Sequence, residues 1–204
     1  MSGHFRQHAW LTLMLAGLSC GLPRTQYYTM ELPHRPPGSG PVIDSHLAIP
    51  RFRADRILMD DRIVYREGPQ QVNFYEYHRW ASPPADLVTG YFIHRLKDSG
   101  TYARVSAYNE GGRSDFTLRG YLHHFEELDQ GKEVTALVAL EIELLDSRTR
   151  APVWREEAES RRPLHSRDVA GLVRAIYECL DEIASKLLAA MQKQVEQQKS
   201  RQSP

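Results

Sequence analysis

Few side chains in this chain stand where their types and spacing could do chemistry. Cys20 closes the run Leu13-Met14-Leu15-Ala16-Gly17-Leu18-Ser19, and a thiol at such an edge can be alkylated or act as a nucleophile. His123-His124 with Glu126 and Glu127 is the tempting cluster of metal-ligand types. On an extended strand neighbouring residues point to opposite faces, so the two histidines would not share one ion, and His124 with Glu126 offers too few ligands. An ordinary solvated strand face without a metal is the expectation. Ser82, Ser99, Ser106 and Ser114 lack the Gly-x-Ser-x-Gly elbow that aims a nucleophile. Asp60-Asp61 and Glu156-Glu157 are adjacent pairs whose members face apart, whereas paired-carboxylate catalysis needs facing groups. Gly111-Gly112 lacks the Lys and Ser/Thr of a phosphate loop and reads as a turn. Neither enzymatic activity nor a cofactor is expected.

The 204 residues carry 26 acidic and 26 basic side chains, so no chain-wide field favours nucleic acid as a partner. A hydrophobic share of 41% at this length suits one globular domain with tails. Cys20 and Cys179 form neither a disulfide framework nor a zinc pattern, and Cys179, inside a helical stripe, reads as a small buried hydrophobe.

Arg6, the apolar stretch Ala9 to Gly17 and the small residues before Cys20 have the pattern of a secretion signal over residues 1–19. As a helix that stretch reaches only about 15 Å, roughly half the hydrocarbon thickness, so it is no spanning anchor. A cysteine directly behind such a core resembles the bacterial lipoprotein signal. There the thiol receives diacylglycerol, cleavage falls before the cysteine and the new N-terminus is acylated. Gly17 stands where that pattern favours Leu, with leucines at Leu15 and Leu18. Lipidation at Cys20 is the expectation, and an ordinary cleaved signal the alternative. Multiple acyl chains anchor durably where one is marginal, at about 0.8 kcal/mol per buried methylene. Residues 20–44 are expected to form a flexible tether: Gly21 to Pro41 holds five prolines and three glycines, and an extended chain of that length spans up to about 60 Å.

The tether should lead to a folded domain over residues 45–192. Ser45 to Pro50, Arg62 to Arg66 and Val72 to Tyr77 read as short strands. Ala85 to Ser99 reads as a helix with Leu87, Val88, Tyr91, Phe92 and Leu96 on one stripe and Gly100 as its C-cap. A strand over Tyr102 to Tyr108 follows, then a long hairpin of Phe116 to Leu128 and Val134 to Leu145. On its return strand Val134, Ala136, Val138, Leu140, Ile142 and Leu144 alternate with residues such as Thr135, Glu141 and Glu143, which predicts one core face and one wet face. Pro152 to Ser160 reads as a third antiparallel strand. A second helix carries a stripe from Val169 to Met191, started by Ser166 or Asp168. Residues 193–204 lack apolar content and are expected to be a disordered tail. The fold class is α/β (α+β): a two-layer sandwich with a mainly antiparallel sheet and two amphipathic helices on one face.

Two features offer contact surface. Trp80, where a strand hands over to a helix, either caps the core or touches a partner. The near-heptad spacing of Val173, Ile176, Leu180, Ile183 and Leu187 either packs on its own sheet or faces a second helix, and a homo-oligomer is among the candidate partners.

In order along the chain, the segments are Cys20 followed by Tyr27-Tyr28-Thr29-Met30, Asp61-Arg62-Ile63-Val64-Tyr65-Arg66, Tyr77-His78-Arg79-Trp80-Ala81-Ser82-Pro83-Pro84, Leu96 to Gly100, Phe125-Glu126 and Asp168-Val169-Ala170. This series resembles the ABC-type transport auxiliary lipoproteins, and Arg-Trp-Ala-x-Pro behind the Ile-Val-Tyr-Arg strand is its most specific block. The resemblance implies a non-enzymatic lipoprotein on the periplasmic side of a diderm envelope, held to the membrane through Cys20. It implies as partners ABC transporter subunits and an MCE-type protein that carries lipids between membranes. An accessory lipoprotein of envelope assembly or secretion, binding another outer-membrane protein, is the alternative. Gly21-Leu22 lacks the aspartate that retains lipoproteins in the inner membrane, which points to the outer membrane, with the inner membrane second.

Overall fold

The computed structural model describes residues 23–30, 32, 43–108, 110 and 112–202. Along the chain run β1 (Gln26–Tyr28), β2 (Ile43–Ile49), β3 (Arg53–Ala54), β4 (Arg62–Arg66), β5 (Asn73–Trp80), α1 (Pro84–Ser99), β6 (Tyr102–Ala107), β7 (Phe116–Asp129), β8 (Val134–Asp146), β9 (Pro152–Pro163) and α2 (Val169–Gln202).

Local chemistry sets the ends of these elements. Pro84 occupies the first turn of α1, where its missing N–H costs nothing, and Gly100 ends the helix in the left-handed region at φ 61°. Asp168 starts α2: its Oδ1 accepts the Gly171 amide at 2.7 Å. The β7–β8 hairpin closes through a turn in which Asp129 Oδ1 accepts the Gly131 amide at 2.7 Å.

The sheet is built on β7. One of its edges is shared in succession by β2 at Phe116 and Thr117, β3 at Tyr121 and Leu122, and β4 at Glu126 to Leu128, all parallel. The other edge pairs antiparallel with β8, which pairs antiparallel with β9. Further out, β6 lies parallel on β2, while β5 runs antiparallel to β4 and carries β1 parallel on its far side. Both helices and the expected α+β class are present, but the mainly antiparallel layer gives way to a curled, mixed sheet. The reason is that hairpins are written in adjacent residues, whereas parallel neighbours meet only through long crossovers that local patterns do not encode.

Helix α1 packs on β3, β6 and β7, and α2 on β7, β8 and β9. Leu118, Leu122 and Phe125 of β7, Val138, Leu140 and Leu144 of β8, and Leu172, Ile176 and Leu180 of α2 are buried in one cluster. Each fully buried large apolar side chain contributes about 1.5–3 kcal/mol. The near-heptad positions of α2 therefore face its own sheet. At the ends, the fold is larger than expected. Part of the tether belongs to it: Gln26–Tyr28 pairs with His78–Trp80, and Met30 is buried. The helix also runs through the segment expected to be disordered, because Val195 continues the apolar stripe beyond Met191 and is fully buried.

Gly120 of β7 allows a close approach: a Cβ there would collide with the Phe52 ring. Gly90 in α1 faces open space. Gly120→Ala is expected to lose about 1–3 kcal/mol of stability in urea unfolding, while Gly90→Ala is expected to gain up to about 1 kcal/mol. Equal effects at the two positions would contradict the packing described.

Candidate functional site

Strand β7 does not keep one alternation along its length. Its pairing with β8 shifts register between Leu122 and His124, leaving His123 as the extra residue of a bulge. Before the bulge the even residues Leu118, Gly120 and Leu122 stand opposite core residues of β8. After it the odd residues Phe125 and Glu127 do, opposite Val138 and Ala136. The bulge thus turns His124, Glu126 and Leu128 to the face away from the helices. Both histidines line a groove of about 400 Å³ with Asp55, Glu157 and Glu159. Among the described residues, no group of three or more His, Cys, Asp or Glu is placed to hold a metal ion.

A neighbouring groove of about 480 Å³ is lined by His124, Glu126, Leu137, Arg66, Glu159 and Arg161, among others. Glu126 is fully buried, contrary to the solvated face expected from sequence. Its Oε1 accepts from Arg66 Nε at 2.8 Å and lies 2.7 Å from His124 Nδ1, while Oε2 is buried without a hydrogen-bond partner among the described residues. Arg66 reaches it because β4 lies parallel beside β7, with Val64 opposite Glu126. A buried carboxylate is held in a fold by such a partner, since an uncompensated charge there is costly. Sequence reasoning passed over Arg66. The signal available was an arginine closing the short apolar strand Ile63-Val64-Tyr65, which needs an acidic neighbour if the strand is internal.

Glu127, on the other face, accepts the Tyr75 hydroxyl at 3.0 and 3.1 Å. Burial pushes its carboxyl above the usual range, against the lowering effect of that hydrogen bond. Burial first, and then the Glu127 charge, also raise the Tyr75 hydroxyl, so the pair holds one proton on the phenol. The outer face of β8 is not simply wet: Leu137, Ala139 and Leu145 are buried there, beneath long neighbours such as Arg161 and Glu159.

The residues singled out from sequence fare differently. Cys20 lies outside the described residues. Trp80 is fully buried, its ring 5.1 Å from that of Phe125, so it caps the core and offers no surface to a partner. Cys179 is buried, its thiol pushed up to about 11 by burial. Ser106 holds His46 Nε2 at 2.8 Å and Ser99 caps the end of α1, structural roles both. No described helix is long and apolar enough to cross a membrane.

A curled mixed sheet with two helices and charged grooves on its outer face defines an α+β domain of mixed strand order. Residues 28–187 match the model of the ABC-type transport auxiliary lipoprotein component, and the chain belongs to that family. A crystal structure of a Xanthomonas campestris protein of family DUF330 shares the fold. It has a TM-score of 0.77 and 24% identity, covering 86% of this chain and 99% of that one. A second crystal structure, of an uncharacterized protein, aligns with a TM-score of 0.67 at 14% identity, over 82% of this chain and 99% of the other. No curated protein matches the chain.

Arg66→Ala leaves the buried Glu126 carboxylate with His124 as its one partner among the described residues and is expected to cost about 3 kcal/mol in urea unfolding at pH 7. Adding Glu126→Gln should recover more than half of that loss. A change below about 0.5 kcal/mol for Arg66→Ala, the range of an ordinary surface substitution, would show that the pair is not what holds β4 to β7.

Proposed function

We propose that this protein is a lipid-anchored, non-enzymatic subunit of an ABC-type system that moves lipids between the membranes of a diderm envelope, working with an MCE-type protein. Membership of the transport auxiliary family over residues 28–187 is the observation that carries this reading. Cys20, behind a short apolar core, supplies the attachment point, and acylation there holds the domain to the periplasmic side of the outer membrane. Gly21-Leu22 supports the outer over the inner membrane, since no aspartate follows the cysteine.

The domain's part is to bind protein partners. Helices α1 and α2 spend their apolar faces on the core, so the free surface with built relief is the outer face of β7, β8 and β9. Its grooves pair buried Leu137 and Ala139 with charged rims of Arg66, Arg161, Glu157 and Glu159. An apolar floor inside a charged rim is the anatomy of a specific protein interface.

Affinity-tagged protein from palmitate-labelled cells tests both halves. The parent is expected to carry label and to bring down an ATPase, a permease and an MCE-type protein, whereas Cys20→Ala is expected to be unlabelled. Label retained by the alanine variant would overturn the anchor. Failure to recover transporter subunits in any of several mild detergents would overturn the partnership.

A further inference from the structure

Where β6 stops, β7 begins and the β8–β9 turn comes round, a third groove opens, with a volume of about 420 Å³. Arg113 from the loop before β7, Arg119 from β7 itself, and Arg148 and Arg150 from the turn all line it. All four are exposed, and among the described residues none is in an ion pair. In a chain whose charges balance, this is a local excess of positive charge. Asp146 shares the lining, but its carboxylate is used by the turn, accepting the amides of Arg148 at 2.9 Å and Thr149 at 2.7 Å. Those bonds, that of Thr149 foremost, together with the Arg148 charge hold it below the usual carboxylate range.

Three further observations give the groove its chemistry. Ser147 Oγ lies 2.8 Å from Thr117 Oγ1 and 3.0 Å from Ser114 Oγ, so three hydroxyls meet within the lining. Arg150 stands at φ 61°, a left-handed conformation that costs a side-chain-bearing residue about 1–2 kcal/mol and that Gly or Asn would adopt more easily. A guanidinium is kept at the groove despite that cost. Tyr108 is 57% exposed and, with Pro50 and Leu145, gives the groove an apolar side. Forked guanidinium donors match the oxygens of a phosphate group, and a half-exposed tyrosine suits the boundary between a polar head group and acyl chains.

We propose that this groove binds the phosphate head group of an anionic phospholipid, the arginines pairing its phosphate oxygens, the hydroxyls its remaining polar atoms and Tyr108 the first carbons of its chains. The choice of a lipid over a free phosphate rests on Tyr108 and Leu145 and on the lipid-handling role proposed above. Head-group binding by the isolated protein and recovery of a transporter are separate readouts, so either can fail alone.

The test uses the acylated protein in non-ionic detergent, titrated calorimetrically with dihexanoyl phosphatidylglycerol, dihexanoyl phosphatidylcholine, inorganic phosphate and a hexaglutamate peptide. Saturable binding of the phosphatidylglycerol is expected, at least about tenfold tighter than of the other three and weakened by added salt. The double variant Arg119→Gln/Arg148→Gln is expected to lose at least about tenfold in affinity. Arg150→Gly relieves the left-handed backbone, so it should weaken binding while unfolding at or above the parent's temperature; a purely structural arginine would not separate the two. Undiminished binding by both variants overturns the proposal. Inorganic phosphate or the peptide binding as tightly as the lipid overturns it too, marking the groove as a general anion or acidic-protein site.

Discussion

The structure depends on the double-edged pairing of β7. One edge is hydrogen-bonded in turn by three short parallel strands, β2, β3 and β4, and the other by the full length of β8. None of the three short strands would be stable alone, since an isolated extended segment leaves its backbone N–H and C=O groups to water. Lined along one long strand, each gains a ladder, and the chain running from β4 to β7 carries β5, α1 and β6 to their places. The core side of β7 then sets where both helices lie, because Leu118, Leu122 and Phe125 are the apolar surface they bury.

A single inserted residue changes what that strand offers. The bulge at His123 reverses the alternation halfway along β7, so that two adjacent acidic residues, Glu126 and Glu127, end up buried on opposite faces. Glu126 is answered by Arg66 of the neighbouring β4, and Glu127 by Tyr75 of β5, one strand further out. Bulges of this kind re-aim side chains, and here the result is a grooved outer face lined by both His123 and His124.

Much of this was legible in the sequence where the signal is local. Gly100 ends α1 as its position implied, Asp168 caps α2, Arg62–Arg66 is a strand with the expected bounds, and the core alternation of β8 holds from Val134 to Leu144. What was not legible lies between distant residues. The parallel pairing of β4 with β7 joins positions about sixty apart, so neither the burial of Glu126 nor its pairing with Arg66 could be read from either segment. Trp80 had two readings because its type suits a core or an interface equally, and only the packing of Phe125 against it decides for the core. The continuation of α2 turned on one valine, Val195, in a polar run. The order of motifs along the chain carried the family where no single motif carried a mechanism.

The proposed division of labour gives the helices to the fold and the outer face of β7, β8 and β9 to a transporter partner. Site-specific photocrosslinking in intact envelopes tests it directly, with a photoreactive phenylalanine placed at Glu157, on the outer face, or at Lys97, exposed on α1. A covalent adduct with a transporter subunit from position 157 and none from position 97 is the expected result. An adduct from position 97 alone would contradict the account.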